Sequence, residues 1–176
     1  FAEVLDIVLD AMDSRYGVFA YIDEDDALVA PSMTGVVWEK CNVPGKSVRF
    51  PRETWGDSIW ARSVRQQQPL FNNEPSKVPE GHLPIDRVMV VPIVFQGEVI
   101  GHFIVANKDT LYTEQDIERL QSITAYIAPV LSARLQRDLQ ERARLKVIEE
   151  LRESAAGYRK LWKEFNAFLD AIPDRL

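Results

Sequence analysis

The chain has a single cysteine, Cys41, and only two histidines, His82 and His102. One cysteine excludes an internal disulfide and any metal cage built of cysteines alone, and it suits a reducing compartment, the cytoplasm. No HExxH, CxxC, phosphate-loop or GxSxG string occurs, so the local patterns that supply paired acids, bases or nucleophiles are missing and we expect a protein that is not an enzyme. Long apolar runs are also lacking. Residues 88–95 and 99–106 are strand-sized and are split by Gln96, Gly97 and Glu98, far short of the roughly 20 apolar residues of a membrane-spanning helix. Nor is there an excess of positive charge. The net charge is -6, and the basic residues gather only between Arg134 and Arg152, where acids interrupt them; that describes a solvated helix, not a nucleic-acid groove. The chain opens at Phe1 with no methionine and no basic-then-apolar leader, which leads us to expect a segment from within a longer protein.

What the chain does have is apolar residues, 46% of its 176, enough for one core of about 100 to 150 residues and an extension. Val4, Leu5, Val8, Leu9 and Met12 step by three and four, which predicts an amphipathic helix that stops near Ser14. Residues 16–22 and 27–30, joined by the polar run 23–26, predict a β-hairpin that Pro31 closes. The stretch 32–51 reads as a short helix or loop leading into a strand at 47–50. Thr54 or Asp57 caps a helix carrying Ile59, Trp60 and Val64, which Pro69 ends. Leu70 and Phe71 form a very short strand, and 72–84, with three prolines and a glycine, is a long irregular connection of the kind that often serves function.

Residues 88–95 and 99–107 then predict two central strands around a tight Gln96-Gly97 turn, apolar enough to be buried on both faces; Val91, Ile93, Ile104 and Val105 belong to that core. Thr113 and Asp116 make a cap-like start to a long helix through Ile117, Leu120, Thr124, Ile127 and Leu131, with a bend expected at Pro129. Ile148, Leu151, Ala155, Tyr158, Trp162, Phe165, Leu169 and Ile172 continue in alternating steps of three and four, a heptad seam that an isolated helix would expose to water.

The string VVPIVFQGEVIGHFIVANK, from Val90 to Lys108, is similar to the two central strands of GAF domains, with the Val-Pro pair, the turn glycine, Gly101 and the strand-ending Asn-Lys. The run from Asn107 to Asp116 resembles the Asn-Lys, aromatic, Asp pattern of the same family, with Tyr112 where phenylalanine is usual. The resemblance covers residues 1–131 and implies an α+β fold: a six-stranded antiparallel sheet with helices on one face and a ligand pocket on the other, followed by a long C-terminal helix. The stretch around WGDSIWARSVRQQQPLFNN looks like GAF domains of sensor histidine kinases. Residues 132–176 are then expected to be a coiled-coil signalling helix whose end, at Ile172 to Asp174, resembles the entry of a PAS-like domain.

The resemblance implies a sensory module that binds a small molecule or cofactor and passes a signal to a downstream domain, as a homodimer joined through its C-terminal and N-terminal helices. A ligand-free module that only dimerises and relays is the alternative. Trp38, Trp55 and Trp60, with Phe19 and Tyr21 from the first strand, either fill core or wall a pocket for a flat ligand. Cys41 lies in the segment that covers the pocket in the family and is either an inert buried thiol or an attachment point for haem or a bilin. His102, in an apolar strand, is either a core histidine satisfied by a neighbour or a metal or haem ligand, and His82 sits in a loop bordering the pocket. The methionine sulfoxide-reducing members of the family need several cysteines, which this chain does not have.

Overall fold

Alternation in the strands sorts the apolar residues onto two faces of one sheet. A computed structural model of the chain describes residues 1–43, 45 and 47–170, with the side chains of 36, 38 and 168–170 outside that description. In chain order the elements are α1 (Ala2–Ala11), β1 (Tyr16–Ile22), β2 (Leu28–Met33), α2 (Gly35–Lys40), β3 (Arg49–Phe50), a 3-10 turn (Arg52–Thr54), α3 (Ile59–Gln66), β4 (Leu70–Asn72), β5 (Val88–Phe95), β6 (Glu98–Ala106) and α4 (Glu114–Asp170). The six strands form one antiparallel sheet in the order β3-β2-β1-β6-β5-β4.

Gly17, Phe19 and Tyr21 of β1 pair with Val105, Phe103 and Gly101 of β6, and these in turn with Met89, Val91 and Ile93 of β5. A Cβ placed on Gly17 would lie 2.8 Å from Leu9 and 3.0 Å from Leu5 of α1, so this face is the one α1 covers and Gly17 is what lets the helix approach. Leu5, Val8, Leu9 and Met12 are buried there, together with Leu120, Ala128 and Leu131 from the start of α4. Each of these side chains except Ala128 contributes about 1.5–3 kcal/mol by leaving water. The Arg134 guanidinium sits 4.3 Å over the Phe1 ring and Arg119 donates to the Ala11 carbonyl at 3.2 Å, which fixes α4 beside α1.

Three expectations are corrected. Pro31 does not close the hairpin, because β2 runs on to Met33: the register slips between Phe19 and Tyr21, and the bulge places proline where no backbone donor is needed. The cap of α3 is Ser58, whose Oγ accepts from the Ala61 amide at 3.4 Å, and neither Thr54 nor Asp57. Ile104 is half-buried on the opposite face, while Val91, Ile93 and Val105 are fully buried.

The start of α4 is built as its sequence predicts. Asp116 Oδ2 accepts from the Thr113 amide at 2.9 Å, and Lys108 Nζ lies 2.6 Å from Asp116 Oδ1, both side chains largely buried. Burial raises the Asp116 pKa, but the Lys108 ammonium and the Thr113 donors outweigh it and hold the carboxyl below its ordinary value. Helix α4 then continues through Pro129.

The chain divides into two compact units, Phe1–Arg134 and Leu135–Leu176. In the second, α4 carries Leu139, Leu145, Leu151, Tyr158, Trp162 and Phe165 exposed to solvent, with ion pairs such as Arg152–Glu149 at 3.6 Å between them. Ile172 and the Ile-Pro-Asp string lie outside the described residues, as does the Leu169 side chain. No helix among the described residues is long and apolar enough to cross a membrane.

Candidate functional site

The second face of the sheet carries Tyr16, Val18 and Ala20 of β1, opposite Ala106, Ile104 and His102 of β6 and Val88, Val90 and Pro92 of β5. Helix α3 packs over part of it through Ala61 and Val64, helped by Trp55 and Trp60. The remainder is left open as the floor of a cavity of about 730 Å³, inside the range of about 300–1,000 Å³ usual for small-molecule sites. Tyr16, Val18, Val88 and Ile104 form the floor, Asp57 to Trp60 and Arg62 one wall, and residues 75–79 with His82 and Ile85 the opposite wall.

That second wall belongs to the loop 73–87, which hydrogen bonds hold at both ends. At its start Asn73 clamps the Tyr112 backbone: Asn73 Nδ2 donates to the Tyr112 carbonyl at 2.9 Å and the Tyr112 amide donates to Asn73 Oδ1 at 2.8 Å. At its end Asn107 Nδ2 donates to the Pro84 carbonyl at 3.0 Å, the Asp86 amide donates to Asn107 Oδ1 at 2.9 Å, and Arg87 Nε donates to the Lys108 carbonyl at 3.0 Å. Asn107 has φ 58°, a left-handed conformation that asparagine tolerates better than most residues. In the middle, the Asn42 amide donates to the Gly81 carbonyl at 2.8 Å. A Cβ on Gly81, at φ 85°, would come within 2.8 Å of the Asn42 backbone, so only glycine fits there.

The sequence-predicted residues separate into three groups. Trp60 and His82 line the cavity. His82 Nδ1 donates to the Leu83 carbonyl at 2.7 Å. Trp55 and His102 lie on the same face of the fold but behind Trp60, whose ring centroid is 5.5 Å from that of Trp55 and 6.0 Å from that of His102. Trp55 is core: it is buried and its Nε1 donates to the Phe50 carbonyl at 2.9 Å. His102 has no exposed surface, neither ring nitrogen has a hydrogen-bond partner, and burial pushes its pKa down to about 3.

Phe19 and Tyr21 are on the wrong face for a pocket. They stand on the helix side, with the Phe1 ring centroid 4.8 Å from Phe19 and 6.2 Å from Tyr21, because they share the parity of Gly17. Cys41 is buried at the end of α2 and does not border the cavity, and the Trp38 side chain lies outside the described residues. These positions do not fit a haem held through Cys41 or His102: neither meets the cavity, and Trp60 stands between it and His102. Among the described residues no group of three or more His, Cys, Asp or Glu is arranged to hold a metal ion.

Sequence reasoning missed Arg62 and Lys77 on the cavity walls and the clamp made by Asn73. The paired asparagines 72 and 73 at the head of a long loop were the available signal, since asparagine at such a position is there to bond backbone.

A family model described as GAF domain matches residues 1–132. None of the curated protein sequences matches the chain. Among solved structures, the second GAF domain of DevS from Mycobacterium smegmatis is 16% identical, with a TM-score of 0.60 over 79% of this chain and 96% of that one. The GAF domain of a phosphoenolpyruvate-protein phosphotransferase from Coxiella burnetii is 16% identical, with a TM-score of 0.60 over 76% and 81%. A type II free methionine-R-sulfoxide reductase from Thermoplasma acidophilum is 18% identical, with a TM-score of 0.56 over 73% and 87%. At these identities the likeness is one of fold.

Proposed function

The chain belongs to the GAF domain family, and from that premise we propose that it is a sensory module which binds a small molecule in the cavity and relays occupancy to α4. The observation that carries this is the attachment of the cavity loop. Both ends of 73–87 are hydrogen-bonded to residues 107–112, the short stretch between the last strand and the first turn of α4. A ligand that repositions the loop therefore acts directly on the point from which the helix is launched. It biases the helix only to the extent that it binds one loop position better than another.

The parent is a cytoplasmic signal-transduction protein, a sensor histidine kinase in our reading, with a PAS-like domain after the helix. We assign the exposed Leu151, Tyr158, Trp162 and Phe165 of α4 to contact with a second copy, with α1 assisting, because a stripe of that size is not left in water without a use. In this reading the module is not catalytic, which its one thiol, set back from the cavity, supports although a reductase shares the fold.

The test is a thermal-shift screen of metabolites followed by hydrogen exchange. A compound that raises Tm is expected to change protection both in 73–87 and in 107–120, and Asn73→Ala is expected to retain binding while the change in 107–120 shrinks. Protection confined to the loop would refute the relay, and a screen with no stabilising compound would favour a ligand-free dimerisation and relay module.

A further inference from the structure

We infer that the cavity takes an organic anion, with an apolar body lying on the sheet and its acidic group held between Arg62 and Lys77. This rests on the small-molecule reading above and adds the chemical class. The charge distribution of the N-terminal unit is what points to it. Most of the basic side chains there have an identifiable partner: Arg49 meets Asp23 at 2.9 Å and Asp25 at 2.7 Å, Arg15 meets Asp109, Arg52 meets Asp26, Lys108 meets Asp116 at 2.6 Å, and Arg87 is spent on the Lys108 carbonyl. Arg62 and Lys77 form no ion pair or side-chain hydrogen bond among the described residues, and both line the cavity.

Among the described residues the only acid on the cavity walls is Asp57, and its charge is offset by Arg65, 3.8 Å away and outside the lining. The lining is therefore net positive in a chain whose overall charge is -6. Positive potential at a concave site in an acidic protein selects an anion and raises its local concentration. Arg62 comes from α3 and Lys77 from the tethered loop, so the two cations reach the cavity from separate elements. An acidic group bridging them would also draw the loop toward α3.

The floor decides what the rest of the ligand is. Tyr16, Val18, Val88 and Ile104 present carbon, and Trp60 and Phe71 add aromatic surface at the sides. A sugar laid face-on against Val18, Val88 and Ile104 would leave the hydroxyls on that side without partners. An aromatic or short aliphatic body carrying a carboxylate has no such penalty.

The experiment uses the full chain, isotopically labelled at isoleucine methyls, and a matched pair of probes: 1-anilinonaphthalene-8-sulfonate and the neutral N-phenyl-1-naphthylamine, which share their rings and differ in the acidic group. Ile59, Ile85 and Ile104 line the cavity and report binding there, while Ile7 and Ile148 report binding elsewhere. We expect the cavity methyls to shift with both probes, and the sulfonate to bind tighter by about tenfold, the sum of two partly exposed charged contacts. The double variant Arg62→Met with Lys77→Met, both on exposed positions and checked by its probe-free methyl spectrum, is expected to abolish that advantage without weakening the neutral probe. Equal affinities in the wild type, or an advantage that survives in the double variant, would overturn the anion assignment while the pocket reading stands. If neither probe moves the cavity methyls, both fall together.

Discussion

His102 makes stability depend on pH between about 6.5 and 4.5. Its ring is completely buried on β6 beneath Trp60, between Ala20 and Pro92 of the neighbouring strands. With no partner for either nitrogen, burial alone pushes its pKa down to about 3. The imidazole of the native state thus stays neutral as pH falls, while in the unfolded chain it takes a proton near its ordinary value of about 6.5. The unfolded state binds more protons, so stability declines on acidification, by about 1.4 kcal/mol for each pH unit below 6.5 and about 3 kcal/mol in total at pH 4.5. Asp23 and Asp116 also have lowered pKa values, but their stabilisation is lost only as pH falls below the unfolded carboxylate value of 3.8. The interval from 6.5 to 4.5 therefore isolates the histidine. Urea unfolding followed by tryptophan fluorescence, at one protein concentration and at pH 7.0, 5.5 and 4.5, reads the slope. His102→Leu removes both unsatisfied nitrogens and is expected to flatten the dependence and to match or exceed wild-type stability at pH 7. A wild-type midpoint that does not move between pH 7.0 and 4.5, or a slope that persists in His102→Leu, would refute the reasoning.

Replacing Asp116 by Asn leaves the largely buried Lys108 ammonium without its carboxylate and is expected to destabilise by about 3 kcal/mol in urea unfolding; the paired change Lys108→Met with Asp116→Leu should cost less, and the opposite ranking would count against the pair. Val105 and Ile104 are sequence neighbours on opposite faces, so Val105→Asp should fail to fold whereas Ile104→Asp should stay soluble and lose binding of apolar probes at the cavity. Two equally unfolded, or two equally cooperative, variants would contradict the assignment of faces. Light scattering on the wild type is expected to give a dimer that Leu151→Glu with Phe165→Glu converts to monomer; a wild-type monomer at micromolar concentration would remove the role given to the exposed stripe.

How much of this was legible depended on whether a local pattern fixed the outcome. The strands expected at 88–95 and 99–107, the tight turn between them and the Thr113–Asp116 cap follow from short-range chemistry, and the structure has them there, the second strand shifted by one residue to Glu98–Ala106. The face of a strand is a different matter. Phe19 and Tyr21 belong to the helix side because of one small residue, Gly17, two positions earlier, which lets α1 approach; aromatic content in β1 does not reveal that. Pro31 read as a terminator because the bulge that accommodates it depends on how β1 pairs, which is tertiary information. The cavity residues divide in the same way. Trp60 and His82 stood out by type, whereas Arg62 and Lys77 look like any other surface cations until their lack of carboxylate partners is seen in three dimensions.

The loop clamp also bounds how large a signal the cavity can send. Asn73 and the Tyr112 backbone exchange two neutral hydrogen bonds, worth about 0.5–1.5 kcal/mol each net of water. Opening both therefore costs about 1–3 kcal/mol, the size of a typical coupling energy between two sites and equivalent to about 5- to 150-fold in affinity. If binding breaks the clamp, this is affinity the ligand forfeits, and Asn73→Ala returns it by opening the clamp beforehand. If binding leaves the clamp closed, the variant binds as the wild type does, and the signal passes through the intact clamp together with the other end of the loop, where Asn107 and Arg87 hold the base of the same stretch. The direction of the affinity change in one asparagine variant thus distinguishes a ligand that pulls the loop away from α4 from one that moves loop and helix as a single body.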